Sequence, residues 1–234
     1  MGAVTSRWKH AMIHFEDFAT PKARRILSKY RETHFCWNDD IQGSAAVATA
    51  ATLASLRRNK ISYKDIKQMG GLRVVCCGAG SAAIGVLDMI KQTMGRFGVT
   101  EEQQLAQMAL LDSKGLVGKG RDVQGEKAIY QRHDLPDKAQ LLEVVKATKP
   151  QILIGCSSTP GLFSAEVLEE VAKHCEAPLI FPLSNPTSKA ECTAEEAFKA
   201  TGGKCLFASG SPFDDVDLGS GKTGYSNQCN NYFI

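Results

Sequence analysis

The sequence predicts an α/β fold, a doubly wound and mostly parallel sheet with helices on both faces. Three observations predict this architecture. Short apolar runs alternate with helical stretches, the first of these runs ends in a glycine-rich turn, and polar residues follow the later runs. Because strands that alternate with helices form βαβ units, the sheet is expected to be parallel and covered on both sides.

Apolar runs bounded by turn residues predict strands at 72–77, 108–111, 151–155, 178–183 and 205–208. Apolar spacing and helix-favouring residues predict helices at 43–56, 81–94, 138–147, 164–174 and 194–200. The last helix should begin at a capping box of Thr193 and Glu196. The polar stretch 97–107 is predicted to be a surface extension between a helix and a strand.

Composition excludes several classes of protein. The net charge is only +3 and the basic residues are scattered, so no nucleic acid partner is expected. No apolar stretch is long enough to span a bilayer and no secretory signal follows Met1, so we expect an intracellular protein with no membrane partner. The eight cysteines contain no C-x-x-C pair, which indicates reduced thiols.

The first predicted strand leads into the sequence GAGSAA at 78–83, which fits the pattern G-x-G-x-x-A. Gly78 allows a tight turn, Gly80 lets the backbone approach a pyrophosphate, and Ala83 lets helix and strand pack closely. With a strand before it and a helix after it, the motif predicts a Rossmann-type, dinucleotide-binding fold. The alternative is a glycine-rich turn in another α/β protein.

The second predicted strand ends in Asp112, where an acid normally accepts a hydrogen bond from the adenosine ribose. Asp112 alone favours NAD, because its charge repels a 2′-phosphate. Ser113 and Lys114 favour NADP, since a hydroxyl and a cation could hold that phosphate, and Lys119 and Arg121 add further cations. NADP is therefore expected over NAD; the alternative is that these cations belong to an ordinary solvated loop.

Two acidic clusters precede these elements, at 16–17 and 39–40. We expect an oxygen-only ligand set without histidine or cysteine nearby, which suits Mg²⁺ or Mn²⁺. An isolated acidic pair would be a solvated turn, but the second cluster favours a metal site.

Polar residues also follow the later strands at the same sheet edge, where ligands bind in open parallel sheets. They occur at 157–159, 184–187 and 209–211, and two amides follow at 230–231. Each of these segments alone could be turn chemistry.

Together these motifs resemble the malic enzyme family in order and spacing over nearly the whole chain. The matching segments are FEDF, WNDDIQGS, GAGSAAIG, LDSKGL, SNPTSKAECTAEE, LFASGSPF and QCNN. The resemblance implies that Glu16, Asp17 and Asp40 ligate the metal and that Asp39 assists proton transfer. It also implies that Asn185 and Asn231 hold the malate carboxylate near the nicotinamide. The cofactor positions it implies are Ser44, Gly78, Gly80, Ala83 and Asp112, to which we add Ser113, Lys114, Ser157 and Asn185.

The resemblance implies NAD(P)-dependent oxidative decarboxylation of L-malate to pyruvate and CO₂, with a divalent metal. It further implies a homodimeric or homotetrameric parent enzyme in the cytoplasm or the mitochondrion. Hydride would leave C2 of malate, and the keto group formed there would then accept the electrons released as C4 departs as CO₂.

The family's general base, a lysine, and its general acid, a tyrosine, lie upstream of the first acidic cluster. That cluster begins here at Phe15, so neither Lys9 nor Tyr30 is assigned these roles. We expect residues 1–40 to be a metal-binding segment linked to a substrate domain outside this chain, and residues 41–234 to bind NAD(P). This chain alone should be inactive. The alternatives are another Rossmann-type dehydrogenase, of the amino-acid or methylenetetrahydrofolate type, and a non-catalytic dinucleotide-binding module.

Overall fold

The computed structural model describes residues 1–233, apart from the side chains of Thr20, Pro21 and Phe233. The strands in this part of the chain are β1 (Ile13–Phe15), β2 (Cys36–Asn38), β3 (Val74–Cys77), β4 (Met108–Asp112), β5 (Gly115–Leu116), β6 (Ile152–Gly155), β7 (Leu179–Pro182), β8 (Leu206–Ser209), β9 (Val216–Asp217), β10 (Thr223–Gly224) and β11 (Asn227–Gln228).

The α-helices of the described chain are α1 (Gly2–Arg7), α2 (Thr20–Tyr30), α3 (Ser44–Arg58), α4 (Tyr63–Gln68), α5 (Ser81–Arg96), α6 (Glu101–Ala106), α7 (Leu141–Thr148), α8 (Ala165–His174) and α9 (Ala194–Ala200). A π-helical turn spans Asp39–Gly43, and 3₁₀ turns span Gly125–Tyr130, Thr187–Lys189 and Asn231–Phe233. Each predicted strand and helix is present within a few residues of its expected bounds, and the Thr193–Glu196 capping box forms as expected.

The main sheet of the described chain has seven strands in the order β11-β8-β7-β6-β3-β4-β5. Its strands are parallel except for β5, which runs antiparallel to β4 at one edge. The strand order reverses at β3, which lies between β4 and β6. The predicted doubly wound, mostly parallel sheet is confirmed, and the crevice at β3 is where such a sheet binds a dinucleotide.

Helices cover both faces of the sheet because alternate side chains of β3 point to opposite sides. Val74 and Cys76 pack into a core formed with α3 and α5, whereas Val75 and Cys77 pack into a core formed with α7, α8 and α9. All eight cysteines are free thiols, as predicted. Among the described helices, none has the combination of length and apolar character that crossing a bilayer requires.

The segment 97–107 lies between α5 and β4 with most of its residues exposed, as expected of a surface extension. It contains α6, which begins at a capping box of Thr100 and Gln103. Gln104 is buried and its Nε2 donates to the carbonyl oxygen of Val99 at 2.6 Å. The sequence did not predict this short helix, whose buried Gln104 bonds to a carbonyl oxygen within the same segment.

Candidate active site

The two acidic clusters lie side by side because β1 and β2 pair in parallel. Strands that run parallel end at the same edge, so the acids at 16–17 and 39–40, which follow them directly, face one another. The Asp17 N–H donates to Oδ2 of Asp40 at 3.0 Å. The structure therefore brings together two clusters that lie 23 residues apart in the sequence.

The second cluster lies in the π-helical turn that connects β2 to α3. Asn38 caps this turn, since its Oδ1 accepts from the N–H of Ile41 at 2.9 Å. A Cβ at Gly43 would lie 2.0 Å from Oδ1 of Asp39, so only glycine leaves room for that carboxylate. Single π-helical turns are rare and occur frequently at functional sites.

Asp39 is buried, with 4% of its surface exposed, and its Oδ2 accepts a hydrogen bond from Nδ2 of Asn231. Burial raises the pKa of Asp39, and the charge of Glu16 raises it further. The hydrogen bond from Asn231 lowers this pKa without cancelling the rise. The carboxyl group of Asp39 therefore holds a proton more readily than an ordinary aspartate does.

Asp40 lies in similar surroundings. Burial raises the pKa of Asp40, and the charges of Asp17 and Glu16 act in the same direction. The N–H groups of Asp17 and Phe18 donate to Asp40 and only partly offset this effect. Carboxylates that repel one another in this way form a site that a cation would stabilise.

A histidine also belongs to this site, so the expected oxygen-only surroundings are wrong. Nε2 of His14 lies 3.6 Å from Oε2 of Glu16 and 3.8 Å from Oδ2 of Asp39. The imidazole stacks on Trp37 with ring centroids 4.6 Å apart. His14, Glu16 and Asp39 each offer one possible ligand atom for a metal, and these three atoms lie within 4.8 Å of one another. Within residues 1–233, the predicted ligands Asp17 and Asp40 belong to no such group.

These residues open into a cleft of about 760 Å³. The cleft is lined by Met12, His14, Glu16, Asp17, Trp37, Asp39, Asp40, Ser44, Ala82, Cys156, Ser158, Leu183, Ser184, Asn185, Asn230, Asn231 and Tyr232. This lining contains no lysine or arginine among the described residues. The acidic donor set and the mutual repulsion of its carboxylates therefore fit a divalent cation such as Mg²⁺ or Mn²⁺.

The glycine-rich loop borders the same cleft. Gly78 has a φ of +111°, and a Cβ at this position would lie 2.2 Å from the carbonyl oxygen of Cys156 at the end of β6. Ala83 is fully buried where α5 packs on the sheet, and Ala82 lines the cleft. The first N–H groups of any α-helix have no acceptor within the helix, so the start of α5 suits the pyrophosphate of a dinucleotide.

Asp112 ends β4, on the other side of β3 from the cleft, and Ser113 and Lys114 follow it on the exposed surface. Nη1 of Arg121 donates to Oδ1 of Asp112 at 2.8 Å, and Nε of Arg121 donates to Asp137. Burial acts to raise the pKa of Asp112, but the hydrogen bond from Arg121 and that from the Lys114 N–H hold it below its ordinary value.

The cleft thus unites many of the predicted site residues but not all of them. It contains Glu16, Asp17, Asp39, Asp40, Ser44, Asn185 and Asn231. Ser157 does not line the cleft, and its N–H and hydroxyl both donate to Glu191. The neighbouring Ser158 lines the cleft instead.

The sequence analysis assigned no individual role to His14, Trp37 or Glu191, whereas Ser184 belongs to the segment 184–187 expected at the ligand-binding edge and does line the cleft. The pairing of His14 with Trp37 across β1 and β2 carries no motif in the sequence.

A doubly wound sheet with a glycine-rich loop at its switch point, beside an acidic cleft, defines a Rossmann-type dinucleotide-binding domain. A family model described as "Malic enzyme, NAD binding domain" matches residues 41–234. The chain belongs to the malic enzyme family, and the resemblance of its motifs is confirmed.

Several curated proteins are similar over all of this chain. The NADP-dependent malic enzyme of Anas platyrhynchos is 45% identical over 236 residues, which span 100% of this chain and 41% of the relative. The hydrogenosomal malic enzyme of Neocallimastix frontalis is 44% identical over 100% of this chain and 39% of its own length. The mitochondrial NAD-dependent malic enzyme of Solanum tuberosum is also 44% identical, with the same two coverages. The chain therefore spans about two fifths of the length of these relatives.

A solved structure supports the same assignment. The malic enzyme of Entamoeba histolytica superposes with a TM-score of 0.71 at 27% identity, over 98% of this chain and 43% of that chain. Its similarity extends across the β1–β2 segment as well as the main sheet.

Proposed function

We propose that this chain is the cofactor-binding part of an enzyme that uses NAD(P)⁺ and Mg²⁺ or Mn²⁺ to convert L-malate to pyruvate and CO₂. The observation that carries the proposal is the parallel pairing of β1 and β2, which directs both acidic clusters into the cleft that also contains Asn185 and Asn231. A Rossmann-type domain needs no such cluster to bind its cofactor.

Glu16, Asp17 and Asp40 are the proposed metal ligands. A bound divalent cation would polarise first the hydroxyl and later the keto group at C2 of malate. Asp39, next to Asp40, is proposed to assist proton transfer, because burial raises its pKa and Asn231 fixes its carboxyl group.

Asn185 and Asn231 would orient the substrate by donating amide hydrogen bonds to its carboxylate. Malate carries two negative charges, and the described lining of the cleft offers several carboxylates and no lysine or arginine. Coulombic repulsion would make its binding weak unless cationic groups come from outside this chain. This supports the proposal that the chain alone has little or no turnover, and that the general acid and base of the parent enzyme lie elsewhere.

The cofactor is proposed to place its pyrophosphate at Gly78 and Gly80, where Ala83 lets α5 approach the sheet. Its adenosine half would lie near Asp112, Ser113 and Lys114, and its nicotinamide half near Ser44 and Asn185. Ser157 would act through the loop that it shares with Ser158.

We propose NADP over NAD. Arg121 forms an ion pair with Asp112, and this pairing reduces the repulsion between Asp112 and a 2′-phosphate. Lys114 is an exposed cation close to Asp112 in the sequence. Oδ2 of Asp112 lies 3.9 Å from Nζ of Lys127 and could still accept from a ribose hydroxyl, so NAD is the alternative.

Titration of this chain with NADPH, NADH, Mn²⁺ and L-malate tests the proposal. We expect a nicotinamide cofactor to bind, Mn²⁺ to bind in the wild type but not in Asp40→Asn, and no pyruvate to form. Asp134→Asn, which changes an acid outside the cleft, should bind Mn²⁺ as the wild type does. Cofactor binding without Mn²⁺ binding would favour another Rossmann-type dehydrogenase, and failure to bind either cofactor would refute the proposal.

The parent enzyme is proposed to be an intracellular homodimer or homotetramer, in the cytoplasm or the mitochondrion. The names of the relatives include mitochondrial and hydrogenosomal enzymes, which supports an intracellular location. Light scattering of the complete parent enzyme would test the oligomeric state.

A further inference from the structure

Glu191 is a fully buried carboxylate, with 0% of its surface exposed, between the 3₁₀ turn at Thr187–Lys189 and α9. Charged side chains are rarely buried without a partner of opposite charge. In the described chain no lysine, arginine or histidine forms an ion pair with Glu191, and its Oε2 has no hydrogen-bond partner. Burial of this carboxylate therefore costs free energy, and only one of its two oxygens accepts hydrogen bonds.

That oxygen, Oε1, accepts three hydrogen bonds. The Ser157 N–H donates at 2.7 Å, the Ser157 hydroxyl at 2.8 Å and the Ser184 hydroxyl at 2.5 Å. Oγ of Ser184 in turn accepts from the N–H of Ser158 at 2.9 Å. One carboxylate oxygen thus ties the loop that follows β6 to the loop that follows β7.

The end of β6 is shaped to receive this carboxylate. A Cβ at Gly155 would lie 2.3 Å from Cδ of Glu191 and 2.4 Å from its Oε2. Only glycine at this position lets the glutamate reach the strand end. The contact between Glu191 and Gly155 is therefore close-packed, in addition to the hydrogen bonds that Glu191 accepts from the serines.

The two loops border the half of the cleft that lies away from Asp112. Since β6 and β7 lie on the opposite side of β3 from β4, a dinucleotide crossing the sheet at β3 would place its adenosine over β4 and its nicotinamide over β6 and β7. Ser158, Ser184 and Asn185 line the cleft there.

The hydroxyl of Ser184 has only one proton, which it donates to Glu191. Ser184 can therefore only accept further hydrogen bonds, and the N–H of Ser158 occupies one of its lone pairs. The remaining lone pair suits a donor such as the carboxamide NH₂ of nicotinamide.

We propose that Glu191 is a positioning residue that holds Ser158, Ser184 and Asn185 against the nicotinamide half of the cofactor and fixes Ser184 as an acceptor. The inference rests on the proposed cofactor binding and adds to it a residue outside the cleft. Glu191 acts through the serines and does not itself touch the ligand.

The test compares NADH with ADP-ribose, which lacks the nicotinamide, in binding to this chain by calorimetry. In Glu191→Gln, which preserves the shape of the side chain, the Kd for NADH should rise about tenfold because neutral acceptors bind hydrogen-bond donors less strongly than carboxylates. The Kd for ADP-ribose should stay within about twofold. Glu170→Gln is the matched control, since Glu170 is also buried but pairs with Lys173 and His174 on α8, and it should change neither value.

Ser184→Ala should show the same selective loss, and it carries the test if Glu191→Gln does not fold. The double variant should lose less NADH affinity than the sum of the two single changes, because both changes weaken the contact that Ser184 makes with the cofactor. Equal loss of NADH and ADP-ribose binding, or no loss of either, would overturn the inference. A wild-type chain that binds none of NADH, NADPH and ADP-ribose would instead refute the proposed cofactor binding, and this inference with it.

Discussion

The side-chain amide of Asn231 donates a hydrogen bond to Oδ2 of Asp39, although 192 residues separate them in the sequence. This bond joins the 3₁₀ turn near the end of the described chain to the π-helical turn that carries the second acidic cluster. It gives the buried Asp39 a hydrogen-bond donor. The cleft therefore depends on a long-range contact as well as on the local pairing of β1 and β2.

Asn231→Ala should lower the free energy of unfolding by about 1–3 kcal/mol, because Oδ2 of Asp39 would stay buried without this donor. Urea denaturation of the two proteins measures this difference. The Asp39→Ala/Asn231→Ala double variant should lose less stability than the sum of the single changes. Strict additivity would show that the two side chains do not interact.

Gly85→Ala should destabilise the protein and weaken Mn²⁺ binding. A Cβ at Gly85 would lie 2.3 Å from the carbonyl oxygen of Ile41, so α5 would have to move away from the π-helical turn. Such overpacking typically costs about 1–3 kcal/mol, which thermal unfolding and Mn²⁺ titration would detect. Gly2→Ala, at an exposed position on α1 where a Cβ would meet no atom within 4 Å, should be neutral or slightly stabilising. Similar losses in both variants would contradict this explanation.

Arg121→Gln should lower the free energy of unfolding by about 1–2 kcal/mol at neutral pH, because Asp112 would lose its charged donor. Arg121 helps to hold the pKa of Asp112 below its ordinary value of about 3.9. The contribution of this pair to the free energy of unfolding is therefore fully present at any pH above that ordinary value. It is lost as the pH falls through the lower pKa of the folded state.

The difference between Arg121→Gln and the wild type should therefore shrink in acid, as measured by urea denaturation at several pH values. Arg31→Gln is the control and should change the stability little at any pH, because both Arg31 and its partner Glu32 are exposed and exposed ion pairs contribute little. A difference that grows in acid would contradict the assigned role of Arg121.

Lys114→Ala should weaken NADPH binding by about fivefold and change NADH binding little, because only NADPH carries the 2′-phosphate. Calorimetric titration with both cofactors measures the selectivity. Lys146→Ala, at an exposed position on α7, should leave both affinities unchanged. An equal effect of Lys114→Ala on the two cofactors would remove Lys114 from the choice between them.

The sequence predicted the main sheet well because its signals are local. Short apolar runs and a glycine motif between a strand and a helix identify a βαβ unit without knowledge of distant contacts. It predicted less well where the pairing of separate segments decides the structure. The acidic clusters include His14, whose ring stacks on Trp37 only because β1 pairs with β2.

The sequence alone determined the fold class, the family and the two acidic clusters, because these follow from local patterns and from motif order. Only the tertiary structure decided which residues share the cleft. It joined Asn231 to Asp39 and used the buried Glu191 to connect Ser157 with Ser184. The physical reason is that a hydrogen bond depends on distance and direction in space, and the folding of the chain fixes both for residues far apart in sequence.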